Sequence, residues 1–370
     1  MIKNLKFVSF NSKKKTSEII YVFSNRVSGT IGRTILASFL VMSFFAIVPI
    51  VISFINQEIL MSEFENNSRK VMVYKLNGQD EPNEEKKGSS EIFDEKDLLS
   101  DILVFNDLEN NSVRLNTPTI LQLFKETKYS LEDVRINKLV KPVALTWLPY
   151  EIKKIQNTKE RKNLFIQIIL PLVLEENNNI KLDRIKLFNI INKSKNTKLE
   201  KRWLNKKYKQ YGIPSKDLSI LKMRMDEIPI SLVLAQAAKE TGWGTSRFAL
   251  EGNALFGQWT WSGEGLKPKN SEENEGHKVM KFNILQASVR AYQRNLNTHK
   301  SYKEFREARA KLRDENKKLD SLFLAQFLDK YAETGQKYVE IIRKIIDQNQ
   351  LKDFDDAKLL PSSKKLESLI

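Results

Sequence analysis

The longest uninterrupted apolar run is residues 35–55, ILASFLVMSFFAIVPIVISFI, 21 residues without a charge. At about 1.5 Å of rise per residue it reaches roughly 30 Å, the thickness of a bilayer's hydrocarbon core. A core helix of that length normally keeps a polar stripe, and this one has none. Pro49 is compatible with a membrane helix. The pattern predicts one transmembrane helix over 35–55. A cleaved leader would have a short charged segment and a small-x-small exit. Here 34 residues precede the run and FINQE leads out of it, so an uncleaved anchor is expected.

Residues 56–112 are polar, with runs such as NEEKKGSSE, and predict a linker; VMVYKL at 71–76 is the one strand-like patch. Helical signals begin at Thr117-Pro118, a capping residue followed by proline at the first helical position. Residues 163–175 (NLFIQIILPLVLE) are strongly apolar but too short to span a membrane, and Pro171 is expected to break them. Ile180, Leu182, Ile185, Leu187, Ile190 and Ile191 continue a helical spacing into 181–210. Residues 231–238 are apolar on almost every side apart from Gln236, so this helix must lie inside a domain. No repeat of 20–50 residues is visible.

Composition narrows the chemistry. The 370 residues contain no cysteine, which removes disulfides, thiolate metal sites and a cysteine nucleophile. The two histidines, His277 and His299, are too few and too far apart for a histidine zinc site. His299 reads as structural. No Gly-rich phosphate loop or cluster of metal ligands is present, so neither a cofactor nor a metal is expected. The net charge of +16 is unevenly placed. Residues 1–34 hold seven Lys/Arg against Glu18, and residues 201–370 hold 32 against 22 Asp/Glu. The basic N-terminus keeps residues 1–34 in the cytoplasm and puts everything after the span outside. That topology disfavours nucleic acid as a partner and leaves an anionic wall polymer as the expected one.

Residues 227–257 carry the candidate chemistry. Pro229 opens a buried helix that Gly242 and Gly244 stop, and Glu240 sits in its last turn. Burial raises a carboxyl's pKa, and the negative end of the helix dipole acts the same way. A Glu kept protonated near neutral pH can protonate a glycosidic leaving oxygen. Lys239 is turned about 100° away and need not lower it. A solvated Glu at a frayed helix end is the competing reading. Trp243, Phe248, Phe256, Trp259 and Trp261 fall within 19 residues. Such rings pack on sugars or in cores. Trp259 or Trp261 is expected to line a cleft, with Trp243 packed beneath Glu240.

QAAKETGWGTSRFALEGNALFG resembles the motif of bacterial N-acetylglucosaminidases that cut peptidoglycan, within the lysozyme-like superfamily. Its elements are Glu240-Thr241-Gly242-Trp243-Gly244 and Asn253-Ala254-Leu255-Phe256-Gly257. The segments LFIQIILPLVLEENNNI, IPISLVLAQAA, SVRAYQRNLNTHKSYKEFR and YAETGQKYVEII are similar to the Bax-like branch, over roughly residues 115–350. The resemblance implies a mainly α fold: a lysozyme-like helical domain with a small β-lobe over 211–352. A helical subdomain (113–210) precedes it, and a polar tail (353–370) follows. It implies Glu240 as catalytic acid, and Trp243, Asn253, Phe256, Gly257, Trp259, Trp261, Tyr331 and Tyr338 as substrate-binding residues. A second carboxylate would come from the β-lobe, where Glu264, Glu272, Glu273 and Glu275 lie. Glu275 is preferred, beside Gly276 and before the strand-like 279–282; alternatively the substrate's N-acetyl group assists a single acid. No Gly-Leu-Met-Gln-like stretch of lytic transglycosylases occurs, which favours hydrolysis. The implied protein is a peptidoglycan hydrolase of the bacterial inner membrane, and the alternative is a wall-binding scaffold without turnover.

Overall fold

The computed structural model describes residues 101–102, 113–260, 265–267 and 278–361. The expected anchor at 35–55, the strand-like 71–76, Trp261, Glu275 and His277 lie outside them. Among the described residues no helix is long and apolar enough to cross a membrane.

The described chain is mainly helical. Helix α1 (Thr117–Glu126) starts one residue earlier than its sequence suggests: Asn116 is the cap, its side chain accepting from the Thr119 N–H at 2.9 Å. Helix α2 (Leu131–Asn137) is capped by Ser130, and β1 (Leu139–Val140) and a 3-10 turn (Tyr150–Lys154) follow.

Helix α3 (Thr158–Ile191) runs 34 residues straight through Pro171, against the expectation of a break. Proline has no N–H to give the carbonyl four residues back, which strands Gln167 O in a part-buried setting. The hydroxyl of Tyr129 supplies the missing donor at 3.1 Å, and the Gln167 amide returns a bond to Tyr129 O at 2.9 Å. Helix α4 (Lys198–Gln210) folds back on α3 after a Thr197–Glu200 capping box. Leu182, Ile185 and Ile191 prove exposed, so the helical spacing there does not mark core positions.

Helix α5 (Leu218–Arg224) leads to α6 (Ile230–Thr241), whose residues 230–238 are all buried. Asp226, just before it, is buried and held by Arg313 at 3.0 Å, with Arg184 and Arg309 at 3.8 Å. Helix α7 (Arg247–Gly252) precedes a small antiparallel sheet in the order β2 (Trp259–Thr260), β4 (Lys278–Met280), β3 (Gly265–Leu266). Its register pairs Trp259 with Val279 and Gly265 with Met280. This is the expected β-lobe.

Helices α8 (Leu285–Thr298), α9 (Lys303–Asp314), α10 (Ser321–Leu324) and α11 (Gln336–Gln348) complete the helical set, with a kinked 3-10 segment (Ala325–Tyr331) before α11. The chain ends in a 3-10 turn (Leu351–Phe354) and β5 (Lys358–Leu359), which pairs in parallel with β1.

One continuous apolar core runs from Ile120 through α3, α6, α8 and α11 to Ala357. The two parts expected as a subdomain and a catalytic domain therefore share it. Two boundaries shift with it. Asp101 and Ile102, assigned to the linker, are helical: Asp101 pairs with Arg294 at 2.8 Å, and Ile102 is buried with Phe282, Ala287 and Ala291. Residues 353–360, assigned to a tail, supply Phe354, Asp355 and β5 to the fold.

Candidate active site

Helix α6 lies in the core because its neighbours α3, α10, α11 and the 3-10 turn Leu351–Phe354 cover it, and it stops where Gly242 takes a left-handed conformation (φ 58°). Trp243 (φ 62°) and Gly244 (φ 81°) continue that turn. A Cβ on Gly244 would meet Phe165 at 2.9 Å, so this close approach to α3 requires glycine. Glu240 emerges at the end of the buried segment, partly exposed, with Lys239 beside it in solvent.

Three buried polar groups lead to Glu240. The Tyr292 hydroxyl donates to Gln236 Oε1 at 2.5 Å, Gln236 Nε2 donates to Tyr338 Oη at 2.9 Å, and the Tyr338 hydroxyl donates to Glu240 Oε1 at 2.9 Å. An unbonded buried amide would cost about 2–7 kcal/mol, which explains why Gln236 occurs in an apolar helix only with both ends engaged. The order of the bonds also fixes their sense. Because Tyr338 Oη already accepts from Gln236, its single proton is free for Glu240. Glu240 Oε1 is thus an acceptor, and a proton on this carboxyl belongs on Oε2. That oxygen faces the backbone at Gly257 (φ 62°), 3.9 Å from where a Cβ would stand.

Burial pushes the Glu240 carboxyl above its ordinary range; the Tyr338 hydrogen bond and the Lys239 charge pull it partly back. Lys239 is the smaller of the two opposing influences, and the net shift of Glu240 stays upward. The pKa of Tyr338 lies far above the ordinary tyrosine value, through burial and the neighbouring carboxyl, so it stays a donor.

An aromatic frame holds these groups. Tyr331 stacks on Tyr338 (5.3 Å, 12°), and Phe256 stacks on Tyr292 (4.0 Å, 15°). The Tyr331 hydroxyl donates to Phe256 O at 3.0 Å, tying the 253–257 turn to the same frame. The fully buried Asn253 takes a left-handed conformation (φ 50°) and donates to Phe282 O at 3.1 Å, and Leu255 N–H donates to Ser288 Oγ at 3.0 Å.

Several predicted substrate contacts thus have other roles. Asn253 and Phe256 are buried and build the turn; a sugar cannot reach side chains enclosed by the core. Trp243 faces α3, edge-on to Phe165 at 6.0 Å with Lys162 Nζ 4.8 Å over its ring. Tyr331 and Tyr338 touch the site through their hydroxyls, and Gly257 lies beside Glu240. Trp259 contributes its backbone to β2. His299 ends α8, and its Nδ1 accepts from Ser301 N–H. Gln236 and Tyr292 were not anticipated.

Residues 217–351 match a family profile described as Glucosaminidase, mannosyl-glycoprotein endo-beta-N-acetylglucosaminidase. The chain is also 28% identical over 206 residues to Protein bax of Escherichia coli (strain K12), covering 54% of this chain and 74% of that protein. Residues 217–351 are thus a glucosaminidase-type domain, in a chain similar to Protein bax. The matched span contains Glu240, Gln236, Tyr292 and Tyr338, so the hydrogen-bonded series lies wholly within a domain of a glycoside-hydrolase family. It excludes α3, α4, Asp355 and β5. No solved structure matches the chain.

Proposed function

We propose that the glucosaminidase domain hydrolyses the β-1,4 bond after N-acetylglucosamine in peptidoglycan, with Glu240 as general acid. The observation that carries this reading is the partly buried Glu240, raised in pKa, with one oxygen committed to Tyr338 and the other toward Gly257. A protonated Oε2 delivers its proton to the glycosidic oxygen. The C1–O bond breaks, its electron pair going to that oxygen, and positive charge develops at the sugar ring. Either Glu275 or the substrate's own N-acetyl group supports that charge. Water then adds at C1 and its proton returns to Glu240.

The proposed setting follows from the sequence: a single anchor over 35–55, the N-terminus in the cytoplasm, and the domain on the wall side of a bacterial inner membrane. Replacing Glu240→Gln keeps the shape and removes the proton. Turnover on purified peptidoglycan is expected to fall about 10²–10⁴-fold while the melting curve is retained. Equal release by both proteins would overturn the assignment. Binding without release by either would select the scaffold reading.

A further inference from the structure

Helices α3 and α4 form a hairpin that closes with the following loop and α5 on a small core, Leu187, Tyr208, Tyr211, Ile213, Leu221 and Met225, apart from the main one. Most of it precedes the matched residues 217–351, and the proposed chemistry does not use it. Its composition is extreme: residues 181–225 carry 14 Lys/Arg against Asp183, Glu200 and Asp217.

Three contacts set the antiparallel seam: Lys193 with Glu200 at 2.5 Å, Lys186 over the Trp203 ring at 5.2 Å, and Lys207 with Asp183. On the inner flank of that seam lie Leu187 of α3 and Leu204 and Tyr208 of α4, which belong to the small core. The opposite flank is fixed by helical spacing. On α3 it carries Leu182, Ile185 and Asn189; on α4 it carries Leu199, Arg202 and Lys206. All six are exposed, and the three aliphatic side chains remain 45%, 50% and 54% accessible. The hairpin thus presents Leu and Ile side chains interspersed with cations, with no acid on that flank.

We propose that this flank docks on an anionic phospholipid surface. The lysines and arginines alone would serve any polyanion. The aliphatic side chains discriminate, because a hydrated anionic polymer gains nothing from exposed Leu and Ile. A bilayer interface takes up both: cations sit at the headgroups and apolar side chains in the acyl boundary. Docking lays the hairpin on the bilayer and sets the orientation of the rigidly attached site toward the wall.

The absence of cysteine allows a direct test on the full chain reconstituted in vesicles. A single environment-sensitive dye is placed on Asn189→Cys, on the docking flank. A control dye goes on the exposed Lys125→Cys of α1, which packs against the 3-10 turn Tyr150–Lys154 that precedes α3. Nitroxide-labelled lipid is expected to quench the first dye and not the second in phosphatidylglycerol-containing vesicles. In pure phosphatidylcholine neither is quenched. Reversing two cations (Arg202→Glu with Lys206→Glu) is expected to lower the docked-to-free ratio by about tenfold or more. The triple change Leu182→Ser, Ile185→Ser, Leu199→Ser, which keeps every charge, should reduce quenching with the melting temperature unchanged. Equal quenching of both dyes, or no quenching in anionic vesicles, would overturn the proposal. So would a triple-serine protein that docks normally; if charge reversal then also weakened binding to wall polymer, the flank would be a polymer site.

Discussion

At the residue scale, the proposed function rests on Glu240, whose Oε1 accepts from Tyr338 while Oε2 lies toward Gly257. The Tyr338 hydrogen bond favours the ionised form of Glu240, so removing it in Tyr338→Phe raises the carboxyl's pKa further. The acid must be protonated to work, so activity falls as pH rises through that pKa. The alkaline limb of the pH–rate profile in Tyr338→Phe is therefore expected at higher pH than in the wild type, because the hydrogen bond that favours the ionised carboxyl is gone. Its maximal rate falls as well, because Oε1 is no longer fixed. A limb that stays put or moves down would contradict the hydrogen-bond order. Gln236→Leu leaves the Tyr292 hydroxyl without its acceptor and is expected to cost about 1–3 kcal/mol of stability, read from denaturant unfolding. Glu240 stood out as a candidate in the sequence less from its place at the end of an apolar helix than from the Glu240–Gly257 motif around it. Gln236 carried a signal too: it is the lone amide of that run, one helical turn before Glu240. Tyr292 and Tyr338 lie 56 and 102 residues from Gln236, and only the packing of α8 and α11 against α6 brings them to it.

At the element scale, two helices depend on distant residues for groups their own sequence cannot satisfy. In α3 the Tyr129 hydroxyl repairs the defect at Pro171. Tyr129→Phe is expected to cost about 1–3 kcal/mol. In a Pro171→Ala background a restored N–H reaches Gln167 O, and much of that cost should vanish. A double-mutant cycle measures the difference; strict additivity would refute the repair. In α6 the first turn follows Pro229, which offers no side-chain cap. Asp355 caps it from the C-terminal segment, accepting from Ser231 N and Oγ at 2.8 Å each. Asp355→Ala is expected to cost about 1–2 kcal/mol, measured as a lowered unfolding midpoint. Sequence reading located both helices and missed both repairs, since Pro171 looks like a break to any local rule and the cap lies 124 residues from the helix it closes.

At the scale of the whole molecule, the helical class, the small β-lobe and the place of the glucosaminidase domain were legible because local periodicity and the Glu240–Gly257 motif carry them. The shared core was not, because no local pattern announces that β5 returns to β1 or that α3 belongs to both halves. A fragment limited to 217–351 lacks α3, Asp355 and β5, and it is expected not to unfold cooperatively. A chain from residue 89 onward, the compact unit, should give one transition. That longer chain is also the one for the decisive measurement. It is incubated with purified peptidoglycan, wild type beside Glu240→Gln, and the new ends are identified by mass spectrometry. Reducing N-acetylglucosamine ends that appear with wild type and vanish in the variant are the predicted result. Ends of another kind, or identical release by the variant, would contradict the account.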